Sequence, residues 1–203
     1  RRAMDGCDVV IHAAALKRIE VGHYDPIEMC KTNVTGTINV IEAAMDAAVR
    51  KVVFLSTDKA YQPVSPYGHS KALAEALILN ANNTRGDRGP IFAACRYGNI
   101  WGAGGSVVPT WKRMIAGGAK SVPVTDARCT RFLMTLQQAV DLVWSTAEEM
   151  LGGELAIPDL PAYRIGDLAE AFGVEMDIKG LPAWEKLDES MCDGKCSADA
   201  PRV

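Results

Sequence analysis

Two short strings lying close together in the chain carry the side chains best suited to moving protons: Ser56-Thr57-Asp58-Lys59 and Tyr67-Gly68-His69-Ser70-Lys71. Residues four apart on a helix share a face, so the Lys71 ammonium is placed to sit near the Tyr67 phenol. A cation there favours phenolate and is expected to lower the tyrosine pKa from its usual value of about 10. Such a phenol could take a proton from a hydroxyl group while hydride leaves the same carbon. Neither string is decisive by itself. Tyr and Lys at this spacing are common on helix surfaces, and the first string reads equally well as a solvated turn with an Asp-Lys pair.

The elements that must position the strings supply the context. Lys51-Val52-Val53-Phe54-Leu55 is a short apolar, partly β-branched run that reads as a buried parallel strand ending at Ser56. Ligands of open α/β sheets bind at the carboxyl ends of such strands. A strand over 7–12 ends in Ala13-Ala14-Ala15, and Asp25-Pro26 opens a long helix to about Ala48, with proline suited to the first turn. A helix over 66–82 and a strand over 91–96 follow. This alternation predicts an α/β fold, a Rossmann-like doubly wound parallel sheet.

From Gly102 the texture changes. Helices are expected near 108–116, 137–150, 165–172 and 184–191, with short strands around 122–125, 131–134 and 153–157. The chain therefore divides into a sheet-forming part over 1–101, a smaller α+β lobe over 102–192 interleaved with the sheet, and a loose polar tail over 193–203.

Composition narrows the class further. The chain has 203 residues, 48% hydrophobic and 23% charged, enough for one sizeable core, and its net charge of -3 with scattered basic residues gives no nucleic-acid footprint. No apolar window is long enough for a membrane span, and the start, Arg1-Arg2-Ala3-Met4-Asp5, has no secretory apolar region, so a cytoplasmic setting without a membrane partner is expected. Cys7, Cys30, Cys95 and Cys129 lie in apolar or element-like stretches and read as reduced, buried thiols. Cys192 and Cys196 are near neighbours but have no second ligand pair, and His12, His23 and His69 lack metal spacing, so no metal site is expected.

A dinucleotide-binding sheet ordinarily opens with a strand, a Gly-rich turn and a helix N-terminus that holds the pyrophosphate. No such segment occurs in these residues. The reading is of a sheet domain truncated at its N-terminus.

Several further strings complete a pattern: His12-Ala13-Ala14-Ala15-Leu16-Lys17, Lys31-Thr32-Asn33, Arg96-Tyr97-Gly98-Asn99, Gly105-Ser106-Val107-Val108-Pro109, Thr130-Arg131-Phe132 and Glu185-Lys186-Leu187. With the two strings above, the chain resembles the extended short-chain dehydrogenase/reductases, and within them the inverting UDP-N-acetylglucosamine 4,6-dehydratases. Retaining dehydratases resemble it but carry Thr-Asp-Glu where this chain has Thr57-Asp58-Lys59.

The resemblance implies an NADP-dependent lyase, with NAD possible as cofactor, that makes a 4-keto-6-deoxy sugar nucleotide for surface-polysaccharide biosynthesis. Tyr67 would be the base in oxidation at C4, supported by Lys71 and Thr57. Lys59 would take the C5 proton and Asp58 would assist the departing C6 hydroxyl, although the sequence does not fix which acts at each step. The cofactor would lie against Ala13 and Ala14, Lys17, Asn33, Tyr67, Lys71 and Ile100. The sugar nucleotide would meet Lys17, Asn99, Ser106, Val107, Arg131 and Glu185, with Arg131 forking onto the diphosphate. A homo-oligomer is expected of the full-length family member.

Two positions depart from the family pattern: Pro182-Ala183-Trp184 stand where Arg-Pro-Gly is usual before Glu185, and Asp188 follows Leu187 where a histidine is usual. The alternatives are another nucleotide-sugar epimerase or dehydratase, or an inactive fragment lacking the Gly-rich cofactor loop.

Overall fold

In the computed structural model, which describes residues 1–87 and 89–193, the chain begins with β1 (Val9–His12), α1 (Ile19–Tyr24), α2 (Pro26–Cys30), a π-helical turn (Lys31–Thr35) and α3 (Gly36–Asp46). Next come β2 (Lys51–Leu55), α4 (Pro66–Asn80), β3 (Ile91–Cys95), β4 (Asn99–Ile100), α5 (Val107–Ala116), β5 (Ser121–Val124) and β6 (Thr130–Met134). The last elements are α6 (Leu136–Glu149), β7 (Leu155–Ala156), β8 (Ala162–Arg164), α7 (Ile165–Ala171) and β9 (Glu175–Ile178). They form two compact units, one of Arg1–Tyr97 with Val140–Pro158, the other of Gly98–Ala139 with the residues from Asp159 onward.

The first unit is built on a four-stranded, all-parallel sheet in the order β1-β2-β3-β7. β2 is central, pairing Val52 with Val10 on one side and with Phe92 on the other. Because side chains alternate along a strand, β2 serves two cores at once. Val52 and Phe54 face Ile41 and Ala44 of α3 and Ala74 and Ile78 of α4. Val53 faces the other way, against Ala93, Cys95, Met150 and the Leu142, Val143 and Ala147 flank of α6. Burial on both faces explains why the run reads as continuously apolar.

The expected long helix from Pro26 is realised with an insertion. Asp25 caps it by accepting from the Glu28 amide at 3.1 Å, and Pro26 occupies the first turn. The ladder then widens into the π-turn at 31–35 before α3 resumes. Such bulges place one side chain out of the regular helical register, and here that residue group contains Asn33.

The second unit has a three-stranded sheet, β4-β6-β8, and a parallel ribbon, β5-β9. Its core gathers Trp111, Val122, Val124 and Ala169, with Phe172 edge-on to Trp111 at 6.1 Å and the indole donating to the Pro123 carbonyl. Four elements here and at the start go beyond the sequence reading: α1, β4, β8 and β9.

The expected helix over 184–191 does not form. Its residues run as turns along β6, with Thr130 bridged to Asp188. The cause is Arg131, whose guanidinium takes the carbonyls of Lys186 and Leu187 that a helix would give to its own amides. Cys95 and Cys129 are buried free thiols as expected, but Cys7 and Cys30 are exposed, Cys30 because the helix turns its neighbour Met29 inward instead. Cys196 and nearly all of the tail lie outside the described residues.

Phe92 is fully buried at the centre of the first unit. Phe92→Ala is expected to cost about 3–5 kcal/mol, through lost transfer energy and an unfilled cavity, read as a lowered urea midpoint.

Candidate active site

Helix α4 starts where the sequence predicts, and the start is what brings the two strings together. Pro66 fits the first turn and the Ser65 hydroxyl accepts from the Gly68 amide at 3.1 Å. Gly68 lies against the 3-10 turn Asp58–Ala60, so closely that a Cβ there would be 2.5 Å from the Lys59 carbonyl oxygen and 2.9 Å from Pro63. Only a residue without a side chain lets the helix seat at that distance. On the seated helix Tyr67, Lys71 and Glu75 follow at four-residue spacing and all three are buried.

The Ser56–Lys59 string is held from the neighbouring strand. Ser56 and Asp58 donate their amides to the carbonyls of Cys95 and Tyr97 at 2.7 and 3.0 Å. Asp58 is wholly buried, and its Oδ1 accepts from the Thr57 hydroxyl (2.8 Å), the Lys59 amide (2.8 Å) and Lys59 Nζ (3.1 Å). Its Oδ2 has no hydrogen-bond partner among the described residues. A buried carboxylate oxygen left unpaired is costly, and such groups recur at reacting sites. The Lys59 side chain keeps 18% of its surface exposed, so the ammonium is anchored at Asp58 yet reachable.

Electrostatics correct one expectation. The Tyr67 pKa is raised above 10.0, not lowered, because burial penalises the phenolate more than nearby groups favour it. Lys59 is the main cation opposing that rise, Asp58 adds to it, and a hydrogen bond with Thr57 opposes it. Lys71 faces the strand instead. Its Nζ donates to the Leu55 carbonyl at 2.6 Å and lies 3.9 Å from the Phe54 ring centroid. Burial brings Lys71 down to about 8, partly offset by Glu75. Tyr97, beside Cys95 and Tyr67, is pushed up to about 12, first by burial.

Asn33 ties three elements. Its Oδ1 accepts from the Leu16 amide (2.7 Å), and its Nδ2 donates to the Leu16 carbonyl and the Ser70 hydroxyl, both at 2.9 Å. Ser70 in turn donates to the Tyr67 carbonyl at 2.8 Å. The loop after β1 is thereby fixed to the first turn of α4. Ala13 and Ala14 lie exposed at the carboxyl end of β1, and Lys17 is exposed beyond them. His12 is buried beneath, against Phe54 and Thr37. The single Thr37 hydroxyl hydrogen goes to the Asn33 carbonyl (2.6 Å), so the hydroxyl oxygen accepts from His12 Nε2 at 3.0 Å. Burial, reinforced by Lys71, lowers His12 to about 4.

The remaining expected residues belong to the second unit. Asn99 and Ile100 form β4, Ser106 precedes α5 and Val107 opens it. Arg131 and Glu185 pair with each other at 2.5 Å. Arg131 also donates to the Thr130, Leu187 and Lys186 carbonyls and is buried, so an anion reaching its terminal nitrogens must displace Glu185. Sequence reasoning missed Ser56, Glu75 and Arg96 of the first unit: the Ser56 hydroxyl donates to Glu75 Oε2 at 2.6 Å, and Arg96 forks onto the same carboxylate. The signal available was the helical spacing that continues from Tyr67 and Lys71 to Glu75. Among the described residues no cluster suited to a metal ion occurs, and no helix is long and apolar enough to cross a membrane.

A family model described as polysaccharide biosynthesis protein matches residues 1–201. An inverting UDP-N-acetylglucosamine 4,6-dehydratase of Campylobacter jejuni is 46% identical over 191 residues, which are 93% of this chain and 57% of that protein. A UDP-glucose 4-epimerase of Rickettsia typhi is 39% identical over 204 residues, covering 98% of this chain and 60% of the relative. Among solved structures, Pen from Bacillus thuringiensis matches with a TM-score of 0.89 and 36% identity, over 94% of this chain and 62% of that one. The dTDP-glucose 4,6-dehydratase DesIV of Streptomyces venezuelae, solved with NAD bound, matches at 0.84 and 21% identity over 100% of this chain and 70% of its own; at that identity the likeness concerns the fold. The chain thus spans less than two thirds of the length of the curated relatives it matches.

Gly68→Ala is expected to push α4 off the 58–60 turn and cost about 1–3 kcal/mol in thermal unfolding. His12 sets an acid limit. Its folded pKa of about 4 lies below the ordinary 6.5, so above 6.5 its contribution is complete, and it is lost as pH falls toward 4, when the unfolded chain takes up a proton that the folded chain refuses. Stability measured by urea unfolding is expected to fall by on the order of 3 kcal/mol across that window, and His12→Gln to flatten the slope.

Proposed function

From a chain that belongs to the polysaccharide biosynthesis protein family, we propose the catalytic part of a nucleotide-sugar 4,6-dehydratase that acts on UDP-N-acetylglucosamine with inversion at C5. The observation that carries it is the convergence of Thr57, Asp58 and Lys59 with Tyr67 around one buried phenol. An epimerase needs one proton relay at C4. A dehydratase needs, in addition, a group to take the C5 proton and a group to give one to the leaving C6 hydroxyl, and Lys59 and Asp58 add those two.

In this reading the exposed Ala13 and Ala14, which leave the end of β1 open, take the reactive end of a pyridine nucleotide, with Lys17, Tyr67 and Lys71 assigned to it and Asn33 fixing the loop before Lys17. NADP is the cofactor in this reading, with NAD the alternative; when bound it accepts a hydride from C4 and returns one to C6. The pyrophosphate cradle is not among these residues.

Tyr67 takes the C4 hydroxyl proton. It does so as the phenolate, having first released its own proton: burial raises its pKa against that form, and the Lys59 charge and the Thr57 hydrogen bond favour it. Lys71 holds a positive charge under the strand end, where the Leu55 carbonyl and Phe54 ring fix it. Lys59, once it has passed its proton to the Asp58 carboxylate 3.1 Å away, removes the C5 proton. Asp58, made a carboxylic acid by that transfer, gives the proton to the departing C6 hydroxyl, which leaves as water. Return of a proton to the opposite face of C5 inverts that centre. Asn99, Ser106 and Val107 are assigned to the sugar nucleotide, and Arg131 to its diphosphate where Glu185 gives way. A cytoplasmic homo-oligomer belongs to the same reading.

The relatives named as 4-epimerases support a second reading, in which the product is a C4 epimer. The test joins the chain to a Gly-rich strand-turn-helix segment of the kind that holds a dinucleotide pyrophosphate and follows UDP-N-acetylglucosamine by NMR. A 4-keto-6-deoxy product with inverted C5 is expected. A C4 epimer formed without loss of water would reject the dehydratase.

A further inference from the structure

Glu75 is a buried carboxylate that the steps above do not use. It lies one helical turn beyond Lys71 and two beyond Tyr67, on the same face of α4. Its Oε2 accepts from the Ser56 hydroxyl at 2.6 Å and from Arg96 Nε at 3.1 Å, while Arg96 Nη2 pairs with Oε1. The Arg96 guanidinium faces the Tyr61 ring with 5.6 Å to its centroid.

Three pieces of backbone therefore meet at one carboxylate, the helix that carries Tyr67 and Lys71, the end of β2 at Ser56 and the residue after β3 at Arg96, and the loop at Tyr61 packs on the arginine. Ser56 is the residue immediately before Thr57-Asp58-Lys59. We propose that Glu75 is a positioning residue, whose carboxylate sets the separation between the Tyr67–Lys71 face of α4 and the Thr57-Asp58-Lys59 turn.

The chemistry favours a carboxylate at this point. Two donors from two strand ends need an acceptor with several lone pairs, and a charge-assisted bidentate pair with arginine fixes direction as well as distance. A glutamine keeps the length but loses the charge and turns one acceptor into a donor facing Arg96. The negative charge also acts on the neighbouring ammonium. Lys71 is met by His12 from β1, by the Leu55 carbonyl and Phe54 ring of β2 and by Glu75 of its own helix, and Glu75 raises its pKa against the larger effect of burial.

The inference rests on the reading of Tyr67 and Lys71 as reacting groups, and its test separates the two. The chain is labelled with isotopic lysine and the Lys71 side-chain signal, identified by its loss in Lys71→Arg, is titrated by NMR. The wild-type midpoint is expected near 8. In Glu75→Gln it is expected to drop by about half a unit or more, whereas Arg96→Lys, which keeps a cation against the carboxylate, holds it near the wild-type value. In the form joined to a cofactor-binding segment, Glu75→Gln is expected to lower kcat by about tenfold or more while KM stays within about twofold.

Should Glu75→Gln alone not fold, because it leaves Arg96 buried without its partner, Glu75→Gln with Arg96→Gln removes both charges and is titrated in its place. A folded variant of either kind whose Lys71 midpoint matches the wild type, or whose kcat is unchanged, overturns the proposal. Absence of turnover in the wild type would count against the dehydratase reading, and the Lys71 titration would still decide the role of Glu75.

Discussion

The close seating of α4 on the turn after β2 is the constraint from which the rest follows. With no Cβ at Gly68, the helix backbone approaches the Lys59 carbonyl to a distance that no other residue permits. That single contact decides which groups can meet. It sets the Tyr67 phenol beside Lys59, Asp58 and Thr57, and it sends Lys71 under the strand end to the Leu55 carbonyl. A helix held farther from the turn would separate these groups and let water between them, where their mutual influence is weak.

Around that contact the molecule balances buried charge with care. Lys71, Glu75 and Arg96 are all nearly inaccessible, yet each has a defined partner: a carbonyl and an aromatic face for Lys71, a hydroxyl and a guanidinium for Glu75, a carboxylate and a tyrosine ring for Arg96. Interior ion pairs of this kind add little net stability over apolar packing, but removing one member is expensive. They define geometry more than they add free energy. Asp58 differs, since one of its oxygens is satisfied three times over and the other by none of the described residues. That asymmetry suits a group whose free oxygen has a proton to handle.

Much of this was legible in the residues. Ser65-Pro66 announces a helix start, Tyr67 and Lys71 announce its inward face, and the apolar run 51–55 announces a strand buried on both sides. Asn33, polar in mid-helix, signalled a need for partners that Leu16 and Ser70 supply. What escaped depended on contacts between residues far apart. Glu75 resembles any surface glutamate until Arg96, 21 residues on, is found against it. The stretch 184–191 has helical composition, and only Arg131 reaching its carbonyls shows why it runs as turns along β6 instead. The Tyr67 shift had the wrong sign because a spacing rule counts the cation four residues away and ignores burial, which is the larger effect.

The central claim is that Lys59, held by Asp58 beside Tyr67, handles a carbon-bound proton separate from the hydride step. The direct measurement is deuterium incorporation at sugar C5 in heavy water, followed together with nicotinamide reduction, in the cofactor-competent form with and without Lys59→Met. The account predicts that the variant still reduces the cofactor but no longer places deuterium at C5. Undiminished incorporation in Lys59→Met would contradict it.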